Sequence, residues 1–113
     1  MKKLFLGAMA LFAAVTLVAC GSKTDAYESI KENKKLVVAV SPDYAPFEFK
    51  TLVDGKDQVV GSDIKLAQAI ADELGVKLEV TTMSFDNVLS SLQSGKADLA
   101  ISGISVTDER KKT

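Results

Sequence analysis

Asp98-Leu99-Ala100-Ile101-Ser102-Gly103-Ile104-Ser105-Val106-Thr107-Asp108-Glu109-Arg110 reads as a short buried strand, a loop of small hydroxyl residues and glycine, and the first turn of a helix. Thr107 suits an N-cap, and Asp108 and Glu109 suit a first turn because carboxylates there meet the positive end of the helix dipole. Strand end, donor-rich loop and helix start together aim backbone N–H groups and hydroxyls outward, which is what a small anion needs. Arg110 is the only arginine in the chain. The one planar fork able to grip a carboxylate through two parallel hydrogen bonds thus lies beside the one anion-ready loop. The plainer account of the same residues is a solvated arginine on a helix start.

The amino-terminal segment points to the compartment. Met1-Lys2-Lys3 is a basic start, and Leu4 to Val18 is an apolar run without charge, short for a membrane span but suited to a secretory signal. It ends in Leu17-Val18-Ala19-Cys20, which resembles the lipobox of bacterial lipoproteins. That likeness implies acylation of Cys20 as the first mature residue, and more than one acyl chain makes anchoring stable. Ordinary cleavage after Ala19 is the rival reading, although it wants a small residue where Leu17 stands. The expected division is a signal peptide over 1–19, a lipidated tether over 20–35, and a folded part over 36–113.

Composition excludes several chemistries. The chain has one cysteine and no histidine, so no imidazole is available as zinc ligand or as base for a serine or cysteine nucleophile. No metal, no cofactor and no catalytic residue is expected. Without Lys2 and Lys3 the remaining chain is about three charges negative, which gives no basic footprint for nucleic acid. A small-molecule partner is expected.

Leu36 to Val40 is a continuous β-branched run and reads as a central strand buried on both faces. Ser41 to Pro46 holds two prolines and reads as a loop. Phe47 to Lys50 alternates apolar and polar, Asp54-Gly55 marks a turn and Gln58 to Val60 offers a return strand, a hairpin. In this reading Glu48 faces solvent. Ile64, Ala67, Ile70, Ala71 and Leu74 repeat at helical spacing, closed by Gly75. Val76 to Thr81 is the next strand, and Ser84 opens a second helix through Val88, Leu89 and Leu92, ended by Gly95. Asp25 to Lys35 could hold a short helix through Ala26, Tyr27 and Ile30, but a solvated spacer with a frayed helix is the expected account. Strands alternating with amphipathic helices argue a parallel sheet with right-handed crossovers. If its first and third core strands are neighbours, Ser41 to Phe47 and Ser102 to Arg110 face each other beyond the strand ends, where such sheets bind ligands.

With these residues in hand, the chain resembles the amino-acid-binding lipoproteins of ABC importers, family 3 of the bacterial solute-binding proteins. The likeness is carried by Leu36 to Val40 leading into Tyr44-Ala45-Pro46-Phe47-Glu48-Phe49, by Gly61-Ser62-Asp63-Ile64-Lys65-Leu66-Ala67 with Ala69-Ile70-Ala71, and by Leu92-Gln93-Ser94-Gly95-Lys96-Ala97-Asp98 running on to Thr107-Asp108-Glu109-Arg110. It implies a type II periplasmic-binding-protein-like α/β fold, with only part of the first lobe present. It further implies that Arg110 clamps the α-carboxylate of an amino acid, that Ser105 and the Gly103 backbone add hydrogen bonds, and that Tyr44 packs on the ligand. Ser41 and Asp43, with Glu48, make the nearby loop acidic and hydroxyl-rich, so a polar or basic amino acid is expected. The chain departs from the family pattern at Ser62, where an aromatic usually stands, at Lys65, where an acid does, and at Ser41, where many relatives carry aspartate.

The partners implied are a permease and its ATPase, with the protein a monomer held by lipid on the outer face of the cytoplasmic membrane or on the periplasmic side. Relatives run to well over twice this length, so a truncated chain with little affinity of its own is expected. Two other functions compete: a dehydratase-like enzyme on the same fold with Glu48 as base, and a non-transport surface lipoprotein with an exposed apolar patch. A phosphate loop at Gly95-Lys96 fails, because Ser90 and Ala97 stand where glycine and a hydroxyl residue are required.

Overall fold

The computed structural model describes residues 25–112. The signal-peptide reading over 1–19 and Cys20 lie outside the described residues.

Helix α1 (Ala26–Asn33) opens the described chain; Asp25 caps it by accepting from the Tyr27 amide at 3.1 Å. Its Ile30 is buried in the core beside Leu36, and Lys31 Nζ donates to the Leu74 carbonyl at 2.7 Å. The segment expected as a solvated spacer is therefore a packed helix over most of its length. One buried isoleucine and a cap decide this in favour of the short helix that Ala26, Tyr27 and Ile30 allow.

Strand β1 (Lys35–Val40) is the middle of a parallel sheet. After it come the two-residue strand β2 (Asp43–Tyr44), the hairpin β3 (Glu48–Val53) and β4 (Lys56–Val60), helix α2 (Ser62–Leu74), β5 (Lys77–Thr82), helix α3 (Phe85–Gln93) and β6 (Leu99–Ala100). In the parallel sheet β5 pairs with β1 from Lys35 opposite Lys77 to Val40 opposite Thr82, and β6 pairs on its other edge. The first and third core strands are thus neighbours, as a crevice between their ends requires. The β2–β3–β4 sheet is separate and antiparallel, and its hairpin turns at Asp54 and Gly55, both at positive φ, the backbone of a two-residue turn matched to strand twist.

Alternate residues of a strand point to opposite faces, and β1 uses both. Leu36, Val38 and Val40 pack with Ala67 and Ala71 of α2, whereas Ala39 packs with Val88 of α3 and with Ala97. Helices on both faces explain why β1 is a continuous apolar run.

Two local differences from the sequence reading have physical causes, and one glycine beside them is fixed by sterics. Pro42 and Pro46 stay out of the ladder, but Asp43 and Tyr44 between them pair with Phe49 and Glu48, so the loop contains a strand. Thr107 does cap, accepting from the Arg110 amide through Oγ1 at 3.1 Å and from the Lys111 amide through its carbonyl at 3.0 Å. Only a 3-10 turn, Arg110–Lys112, follows it among the described residues. Gly61 is required by a close approach: a Cβ there would stand 2.1 Å from the Phe47 carbonyl oxygen, at φ +128°. Without that Cβ, the Ser62 and Asp63 amides at the start of α2 donate to the Pro46 and Phe47 carbonyls.

Candidate functional site

The sheet order β5–β1–β6 places the carboxyl ends of β1 and β6 side by side, and one hydroxyl joins them. The Ser41 amide, just past β1, donates to Ser102 Oγ at 2.9 Å, and Ser102 Oγ in turn donates to Glu48 Oε1 at 2.9 Å. The Ser41 hydroxyl donates to Asp43 Oδ1 at 3.1 Å. Buried polar groups are normally paired, and this chain of bonds pairs all but one atom. Glu48 is 0% exposed, yet its Oε2 has no hydrogen-bond partner.

Glu48 is where the sequence reading fails most clearly. The Phe47-Glu48-Phe49 alternation assigns Phe47 to the inside and Glu48 to water; in the structure Phe47 is 41% exposed and Glu48 is enclosed. The carboxyl is tolerated because Ser102 meets it from the neighbouring sheet. Burial pushes its pKa up to about 7, the Asp63 carboxyl beside it adds to the rise, the Ser102 hydroxyl opposes it, and Asp43 contributes a weaker repulsion.

A pocket of about 210 Å³ opens here, lined by Asp43, Tyr44, Glu48, Phe85, Ser102 and Gly103. The Tyr44 ring lies against Gly103, where a Cβ would come within 3.0 Å of it, and 5.0 Å from the Phe47 ring centroid. Of the residues singled out in the sequence, Tyr44, Asp43 and Gly103 share this pocket. Ser41 is buried behind it. Arg110 and Ser105 line an adjoining hollow with Leu89, Ile104, Val106 and Lys111. The two hollows are linked through Phe85: the Arg110 guanidinium carbon sits 5.5 Å from that ring's centroid, within cation–π range. Arg110 Nη1 also donates to the Ser105 carbonyl at 3.0 Å, so Ser105 meets Arg110 through its backbone rather than its hydroxyl.

Phe85 and Ser102 are the pocket residues that sequence reasoning did not single out, and Glu48 is the one it assigned to solvent. Ser102 stood inside the anion-loop stretch but without a signal to separate it from Ser105. Phe85 follows directly on the helix-opening Ser84, at the carboxyl end of β5, a position whose importance depends on knowing the strand order.

A doubly wound α/β lobe with an aromatic and acidic pocket at its strand ends is a small-molecule-binding class of fold. The sequence profile of the bacterial extracellular solute-binding proteins, family 3, matches residues 36–113, and the chain belongs to that family. The arginine-binding extracellular protein ArtP of Bacillus subtilis is 43% identical over 112 residues, 99% of this chain and 42% of that protein. A cyclohexadienyl dehydratase of Pseudomonas aeruginosa is 36% identical over 107 residues, 95% of this chain and 38% of that protein. Among solved structures, an amino acid ABC transporter substrate-binding protein from Streptococcus pneumoniae bound to L-arginine superposes with a TM-score of 0.76 at 74% identity, covering 79% of this chain and 37% of that one. The arginine-bound form of domain 1 from TmArgBP of T. maritima gives a TM-score of 0.68 at 45% identity over 74% of this chain and 64% of that one. The chain therefore spans well under half the length of the curated relatives it matches.

Proposed function

We propose that the chain is part of the first lobe of an exported amino-acid receptor of an ABC importer and that it takes a basic amino acid. The observation that carries this reading is the pocket in which Tyr44 and Phe85 supply aromatic faces while Asp43 and Glu48 supply carboxylates. Aromatic faces attract cations, and carboxylates pair with guanidinium through charge-assisted hydrogen bonds. Arg110, in the adjoining hollow, is then the partner for the ligand α-carboxylate, with Ser105 and Gly103 beside it. The L-arginine bound to the similar structures supports the same ligand class. Ser41 positions the loop through its backbone, and Asp43 faces the ligand.

Charge-assisted bonds contribute roughly 1.5–3 kcal/mol each. Two or three of them amount to about 3–9 kcal/mol before the cost of lost translational and rotational freedom, so weak binding, with a Kd of about 1 mM, is expected of this part of a lobe. The arginine-bound form of domain 1 from TmArgBP supports binding by one lobe; tight capture calls for a second body to close over the ligand. Isothermal titration with a panel of amino acids tests the reading: arginine and lysine bind, and R110A removes arginine binding. A neutral amino acid binding more tightly than arginine would refute it. Turnover of a prephenate-like acid would favour instead a dehydratase using Glu48, the reading to which the dehydratase relative points.

The basic start, apolar run and Leu17-Val18-Ala19-Cys20 support a signal peptide over 1–19 and lipid anchoring at Cys20, with a permease and ATPase as membrane partners. Mass spectrometry of the mature amino terminus should find acyl groups on Cys20 and none in C20A.

A further inference from the structure

Glu48 presents a combination that the ligand reading leaves unexplained. Its side chain is wholly enclosed, one oxygen is engaged by Ser102, and the other has no partner although the residue lines the pocket. The groups that face it are acidic or uncharged: Asp63 from α2, Asp43 and the Tyr44 phenol from β2, the Ser102 hydroxyl from the β6 end and the uncharged Phe85 ring from α3. Two ionised carboxylates cannot hydrogen-bond each other, since both only accept. A proton on Glu48 turns the orphan oxygen into a donor toward Asp63 and removes the repulsion. A cation placed in the pocket does the same by charge.

Resting on the basic-amino-acid reading above, we propose that the cationic end of the ligand enters by exchange for a proton. Without ligand, Glu48 holds a proton; a guanidinium or ammonium group in the pocket replaces it, the Glu48 O–H bond breaks, and the proton passes to water. One positive charge leaves as another arrives, so the enclosed site keeps its net charge. Glu48 thereby becomes the residue that selects for a charged side chain, because a neutral one cannot displace the proton. The rise of the Glu48 pKa to about 7 puts this exchange within the neutral range.

Arginine titrations of the chain across about pH 5.5 to 8.5, in buffers of different ionisation enthalpy, test it. Below about pH 7 the arginine Kd rises by up to tenfold per pH unit. The buffer-dependent heat reports close to one proton released at about pH 6 and almost none at pH 8.5. E48Q binds arginine more weakly, with a flat pH profile and no proton release. D63N, which keeps Glu48 but removes its neighbour's charge, shifts the midpoint to lower pH. Arginine binding to the unaltered chain with a Kd flat over the whole range and identical heats in every buffer would overturn the proposal while leaving the ligand reading intact. Absence of arginine binding at every pH would overturn both.

Discussion

Replacing Glu48 by glutamine should stabilise the protein at alkaline pH, against the general rule that core substitutions destabilise. Glutamine has nearly the same shape: its Oε1 can still accept from Ser102, and its amide supplies donors where the carboxylate leaves Oε2 unpartnered. The magnitude follows from linkage. The pKa rises from 4.5 to about 7 on folding, so between those values the native state binds more protons than the unfolded chain. The stability contributed by protonated Glu48 is therefore complete below about pH 4.5, falls as pH rises toward 7, and is gone above it. The difference amounts to at most about 3 kcal/mol. Urea unfolding followed by circular dichroism at about pH 5 and pH 8 measures it. E48Q should match the parent at pH 5 and exceed it by up to about 3 kcal/mol at pH 8. A variant less stable than the parent at pH 8, or a difference that does not change with pH, would refute the reasoning.

Other substitutions probe the frame around this group. S102A leaves the Ser41 amide and Glu48 Oε1 without their partner; it should cost about 1–3 kcal/mol and move the Glu48 midpoint further up, read by the same pH series. L36A removes a side chain 2% exposed and should cost about 2–5 kcal/mol in urea unfolding. G61A should prevent the folded state from accumulating, seen as loss of the cooperative transition, because its Cβ would collide with the Phe47 carbonyl. G103A sets a methyl 3.0 Å from the Tyr44 ring at φ +58°; a stability cost of about 1–2 kcal/mol should accompany weaker arginine binding in calorimetry.

The elements that sequence conveyed well were those with a single job. The helical repeat of Ile64, Ala67, Ile70, Ala71 and Leu74 was legible because one face meets the sheet, and β1 was legible because both of its faces are covered. A parallel sheet followed from the alternation of strands and helices, but that its first and third strands are neighbours stood only as a condition; the strand order supplies it and brings Tyr44, Asp43 and Gly103 to one place. Glu48 was illegible for a physical reason: period-two patterning says which residues share a face but not which face is inside, and the partner that makes burial of a carboxyl tolerable lies 54 residues away. Phe85 escaped because it belongs to the helix that faces the other side of the sheet, and only the strand order shows that its first residue reaches the pocket. Arg110 and Ser105 were placed together, but by a backbone carbonyl that no side-chain argument could single out.

The two-sided covering of β1 has a consequence for alignment. Water cannot tell its faces apart, since both are apolar, so polarity does not forbid the strand from slipping one step along its neighbours. Bulk does. A slip would drive Val38 and Val40 toward Val88 and Ala97, where Ala39 now leaves room for only a methyl group, and would open a void opposite Ala67 and Ala71. The matching of Ser41 to Ser102 across two strands is thus inherited from an order of large, small, large in residues that touch no ligand. Enlarging Ala39 would be felt as a misaligned pocket before it was felt as an unfolded protein.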